Sequence, residues 1–130
     1  MSYLKNSKGF SLLELLVVVA ILGILIAIAL PRYFDAVADA KRNAQRTNIA
    51  IIRTSLEYYR NKNNTYPTDT QTFVNFLKDP NYFSETPVCP YNGQTYTSQG
   101  SAPATWDESN AHILVYQGSA KSYTLSYTSP

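Results

Sequence analysis

Residues 10 to 30 read F-S-L-L-E-L-L-V-V-V-A-I-L-G-I-L-I-A-I-A-L, an apolar run whose one charged residue is Glu14. As a helix rising about 1.5 Å per residue, these 21 residues span roughly 31 Å, about the thickness of a bilayer's hydrocarbon core. A carboxylate deep in such surroundings costs about 2.5–3.5 kcal/mol even on the lenient insertion scale. Glu14 lies near one end of the run, so snorkelling lessens that cost, but a plain anchor has no use for it. The run contains no base, so the partner of this acid has to come from outside the segment.

The flanks set an orientation. Lys5 and Lys8 precede the run with no acid beside them, which by the positive-inside rule keeps this end cytoplasmic. A short basic leader before an apolar stretch also describes a secretory signal peptide. Against that reading, the run exceeds a signal core of about 7–15 residues, carries a glutamate, and meets Pro31 where a signal relaxes into its cleavage site. Ala36-Val37-Ala38 would pass as such a site, but Asp35 and Asp39 surround it.

The string K-G-F-S-L-L-E-L-L-V-V-V-A-I-L-G-I-L resembles the leader and N-terminal helix of type IV pilins and the related pseudopilins. The resemblance implies a leader, residues 1–9, recognised partly through Lys8 and cut after Gly9 by a membrane prepilin peptidase. It also implies methylation of the new terminal amine on Phe10. The family's assembly glutamate corresponds to Glu14, and the glycine and proline that loosen family helices correspond to Gly23 and Pro31. Cleavage would place an α-amino cation about one helical turn from Glu14, roughly 6 Å along the axis. A neighbouring helix shifted by about a turn would bring its amine to this carboxylate. Burying the two charges together removes much of the penalty each suffers alone. Such a head-to-tail contact need not close into a ring and so suits a helical filament. Pro31 removes an N–H and crowds the carbonyl of Ala27, so a kink is expected there. Gly23 weakens the helix by about 1 kcal/mol relative to alanine.

The chain has 130 residues, which leaves room for one small domain, residues 32–130, beyond the half-helix of residues 10–31. Two of the eleven bases lie in the leader, so the mature chain would hold nine bases and nine acids, and bulk charge does not imply nucleic-acid binding. Cys89 is alone, so no intramolecular disulfide can form, a departure from the paired C-terminal cysteines of many Gram-negative pilins. In T-P-V-C-P-Y it reads as a small buried hydrophobe, with an intermolecular disulfide or a reactive thiol as the alternative.

From Arg32 to about Lys62 there is neither glycine nor proline, and Tyr33, Val37, Ala40, Ala44, Ile51, Ile52, Leu56 and Tyr59 recur at helical spacing. Bases from Lys41 to Lys62 follow Asp35 and Asp39, an order that suits the helix dipole; they read as a solvated face before a stripe for DNA or membrane phosphates. N-K-N-N-T-Y-P-T-D at 61–69 ends the helix. With the residues before it, this stretch resembles the region after the long helix in major pseudopilins and some competence and Gram-positive-type pilins. Asn63-Asn64-Thr65 fits a glycosylation acceptor pattern, though it reads first as a turn. Asp69 or Thr70 is expected to cap a short helix through Lys78, followed by a loop over 79–93 packed by Tyr82, Phe83 and Val88. Strands are expected at Gln94–Ser98, His112–Gln117 and Ser122–Thr128, the last two joined by a hairpin at 118–121. The fold class is α+β: a long N-terminal helix packed on a small antiparallel sheet.

No catalytic constellation, phosphate loop or metal-ligand cluster appears in the sequence, and no cofactor or metal is expected. His112 reads as structural. Major secretion pseudopilins bind calcium through a C-terminal acidic loop; here only Asp107 and Glu108 lie in that region. The reading is a non-enzymatic filament subunit, a single-pass membrane protein before assembly and then part of an extracellular pilus or a periplasm-spanning filament. Its partners would be other copies, the peptidase, inner-membrane assembly machinery and minor pilins. A type IV pilin is preferred over a secretion pseudopilin because calcium ligands are few, while the Y-P-T region pulls the other way. A singly anchored surface binding module is the alternative from another class.

Overall fold

The computed structural model describes residues 9–130. Lys5, Lys8 and the rest of the expected leader before Gly9 lie outside the described residues. Helix α1 (Leu12–Asn63) runs without a break through Gly23 and Pro31. Its residues up to Ala38 and those from Asp39 onward belong to two compact units.

In the first unit, every large apolar residue from Phe10 to Leu30 is between 47% and 88% exposed. The most apolar 18-residue window of α1 has a mean hydropathy of 3.0, long and apolar enough to cross a membrane. A bare surface of this kind is far larger than a water-soluble domain leaves uncovered.

In the second unit, Gln45, Ile49, Ile52 and Leu56 of α1 are buried, a stripe with alternating steps of four and three. This differs from the expected face. Ile51 and Ala44 point to solvent, and the polar Gln45 lies inside because its amide is satisfied there. Asn64 ends the helix in the left-handed conformation at φ 59°, its N–H donating to the Arg60 carbonyl at 2.7 Å. The Asn63 side chain donates to the Tyr59 carbonyl and the Tyr82 hydroxyl, which matches the turn reading.

Helix α2 (Thr70–Leu77) buries Phe73, Phe76 and Leu77. Asp69 caps it, accepting from the Thr72 N–H at 2.8 Å and the Thr72 hydroxyl at 2.7 Å. The Thr72 backbone bond is the main reason the Asp69 carboxyl is held below its usual range. A carboxyl with a depressed folded value stabilises above its unfolded pKa, about 3.9, and that stability is lost as pH falls through the folded value. Asn caps as well as Asp but does not titrate. On acidification below about pH 4, melting of the wild type should therefore fall more steeply than that of Asp69→Asn. Parallel curves would refute the assignment.

Strands β1 (Thr97–Gln99), β2 (Ile113–Gly118) and β3 (Tyr123–Tyr127) form one sheet in that order. The β2–β3 hairpin is antiparallel as expected, pairing Leu114 with Tyr127 and Gly118 with Tyr123. β1, however, runs parallel to β2, with Thr97 opposite Ile113 and Gln99 opposite Val115, so the sheet is mixed. Residues 100–112 are long enough to carry the chain back to the start of β1, as a parallel pair requires. The first expected strand also begins late, since Thr95 makes only an isolated bridge with Val88. Val88 itself is 46% exposed and does not pack the loop as expected, whereas Phe83 is buried and Tyr82 half-buried. The core joins the α1 stripe to α2, Tyr96, Leu114, Tyr116 and Leu125.

Candidate functional site at the head of the long helix

Glu14 sits in the first turn of α1, exposed, and lines a shallow apolar groove with Phe10, Leu13, Val17 and Val18. Phe10 is 88% exposed. The site therefore places the expected amine-bearing residue and the acid on one face.

The local geometry gives Glu14 a second role, within its own helix. The Ser11 N–H donates to Glu14 Oε2 at 2.9 Å, the Ser11 hydroxyl oxygen accepts from the Leu13 N–H at 3.2 Å, and the Ser11 carbonyl accepts from the Leu15 N–H at 3.3 Å. This is a capping box, in which Ser and Glu three residues apart satisfy backbone donors reciprocally. The S-L-L-E string at 11–14 carried the signal. Glu14 thus has a local partner for one oxygen, while no ion pair to it occurs among the described residues. The cap also keeps Phe10 and Ser11 outside the helix. The one-turn distance between amine and acid is therefore a minimum. With two extended steps and two helical ones it reaches about 10 Å.

A Cβ built on Gly9 or Gly23 meets nothing within 4 Å, so packing among the described residues does not demand glycine at either place. Pro31 lies inside α1.

The remaining candidates lie in the second unit. Cys89 is fully buried, and its thiol donates to Gln45 Oε1 at 3.4 Å while Gln45 Nε2 donates to the Ala111 carbonyl at 3.3 Å. This is the buried small side chain of the first reading, with a hydrogen bond added. His112 immediately precedes β2 and has a partner that the sequence did not reveal, Asn92, at 3.0 Å.

Of the bases on α1, Lys41 pairs with Glu108 at 3.5 Å, Arg42 with Asp39 at 3.3 Å, and Arg53 donates to the Leu125 carbonyl at 3.3 Å. These ties fit a solvated face.

The oxygens near Asp107 and Glu108 do not fit a calcium ion. Asp107 Oδ1 accepts the N–H groups of Ser109 and Asn110, Glu108 reaches Lys41, and the carbonyls of Glu108 and Ser109 accept from Asn92. Among the described residues no three His, Cys, Asp or Glu side chains come together as metal ligands.

Comparison with known proteins gives two family matches. Residues 4–30 match the prokaryotic N-terminal methylation motif, and residues 32–127 match the type II secretion system (T2SS), protein G. The chain is 30% identical to the type IV narrow pilus major component PilA5 of Thermus thermophilus, over 95% of this chain and 97% of that one. It is 32% identical to the type II secretion system core protein G of Pseudomonas aeruginosa, over 78% of each. It is 28% identical to the core protein G of Escherichia coli, over 96% of this chain and 83% of that one. No solved structure matches. A methylation motif at the head of an exposed apolar helix, followed by a domain of the protein G type, makes this chain a member of the type IV pilin and type II secretion pseudopilin family.

Proposed function

We propose that the chain is a structural subunit of a pilus-like filament, cut after Gly9, methylated on Phe10 and assembled by packing the first half of α1 among copies of itself. The observation that carries the reading is the bare apolar helix with one acid at its head. Its surface needs lipid before assembly and other helices afterwards, and Glu14 needs a cation that its own helix does not supply.

The glycine positions support the same reading. Among the described residues nothing crowds Gly9, which leaves it accessible to recognition from outside the chain, as by a peptidase. Gly23 likewise has room for a side chain, which a closely packed neighbouring helix would fill. With Pro31 it brackets a segment able to loosen when such neighbours pack. The family is a structural one, and no step of chemistry is assigned to this subunit.

A second reading, the major pseudopilin of a secretion system, draws on the protein G match over residues 32–127. The pilin reading draws on the pilus component matched along nearly its whole length.

Intact-mass analysis of the chain purified from its own cells is expected to show a protein beginning at Phe10 and heavier by one methyl group. An N-terminus retaining residues 1–9 would instead favour a singly anchored surface module.

A further inference from the structure

The connection between β1 and β2, residues 100–112, is exposed over most of its length and is gathered by one side chain. Asn92 Nδ2 lies 2.9 Å from the Glu108 carbonyl, 3.1 Å from the Ser109 carbonyl and 3.0 Å from His112 Nδ1. The amide orientation follows from its other end, where Oδ1 accepts the Gln94 N–H at 3.1 Å. Reversing the amide would set its oxygen against two carbonyl oxygens. Nδ2 carries two hydrogens, so the three acceptors share them, and the contact to His112 uses the ring tautomer whose Nδ1 accepts.

Asn92 is itself held firmly. It lies in a turn closed by Cys89 N–H to the Gln94 carbonyl and Gly93 N–H to the Cys89 carbonyl, both at 2.8 Å. Gly93 supplies the left-handed φ of 69° that this turn requires. Cys89 anchors the turn in the core through Gln45 of α1.

Two carbonyl oxygens converging on one point, here those of Glu108 and Ser109, are the kind of ligand a hard divalent cation collects, at about 2.3–2.6 Å. Here the point is taken by an N–H donor, and Asp107 is occupied with the N–H groups of Ser109 and Asn110.

We propose that Asn92 closes the β1–β2 connection in place of a divalent cation, so that the order of this loop is independent of calcium. The inference concerns loop order and stands apart from the filament reading. Its test is hydrogen exchange of the full chain in detergent, following the amides of residues 105–112 with millimolar calcium or with EGTA. In the wild type the two conditions should agree within about twofold. Asn92→Ala should speed exchange of the Ser109 and Asn110 amides on the order of tenfold, the effect of losing one or two net hydrogen bonds. Exchange in α2 should be unchanged. Asn92→Asp, which keeps the shape but cannot donate, should loosen the loop to a similar degree. Wild-type protection that rises severalfold on adding calcium would overturn the proposal, as would unchanged protection in both variants.

Discussion

Cells carrying Glu14→Ala as their only copy are expected to insert the chain in the membrane at normal levels yet yield almost none in sheared filaments. Two roles of Glu14 have to be separated, because its carboxylate both caps α1 through the Ser11 N–H and carries the charge that a neighbour's amine would meet. Glu14→Gln separates them, since glutamine serves equally at this place in a capping box but brings no charge. If the charge pair sets the stagger, Gln should fail nearly as completely as Ala. Leaving a buried amine without its counter-charge costs about 3–5 kcal/mol, or a factor of roughly a hundred to a few thousand in each contact. That loss recurs at every subunit added. If the cap were the whole role, Gln would assemble normally while Ala was merely weakened, its helix frayed by one turn. Normal filament yield from Glu14→Gln therefore defeats the intersubunit pair even if Glu14→Ala fails. Membrane insertion should be unaffected in both, because the apolar residues from Leu15 to Leu30 are untouched and losing a charge only eases partitioning.

The first half of α1 was legible because its signals are local. An apolar run of fixed length, one acid, a glycine and a proline need no knowledge of what else the chain touches. The capping box is equally local, in S-L-L-E at 11–14, where one glutamate serves both the cap and the unpaired charge. Farther along, the helix stop at Asn64, the cap at Asp69 and the β2–β3 hairpin also follow from short-range chemistry.

What escaped was decided by partners distant in sequence. Gln45 does not read as a core residue, and only the Cys89 thiol and the Ala111 carbonyl, 44 and 66 residues away, make its burial affordable. The direction of β1 was hidden for a similar reason. Three residues carry no sign of parallel or antiparallel pairing, and a connection of this length permits either. His112 and Asn92 likewise carry no short-range mark of their meeting, 20 residues apart.

Gly118→Ala is expected to be the most damaging small substitution in the second unit. Gly118 ends β2, pairs with Tyr123 and lies against the Pro67 carbonyl and the Tyr116 hydroxyl. A methyl group there would collide with both. Neither neighbour can move cheaply. The Tyr116 ring is stacked on Phe73 at 4.0 Å with an interplanar angle of 3°, and its hydroxyl donates to the Pro67 carbonyl at 2.8 Å. Burial raises the Tyr116 pKa above its ordinary value, so the hydroxyl remains a donor at physiological pH. Overpacking at a rigid site costs about 1–3 kcal/mol, and a buried carbonyl parted from its donor costs about 1–3 kcal/mol more. Together these effects should lower Tm by more than about 10 °C for a domain of this size. Tyr116→Phe alone should cost only the hydrogen-bond share. Because the phenol oxygen is one of the atoms in the way, the double variant should melt higher than the sum of the two losses predicts. A Gly118→Ala chain melting within about 2 °C of the wild type would show that the Pro67 segment gives way freely, and strict additivity would show that the hydroxyl is no obstacle.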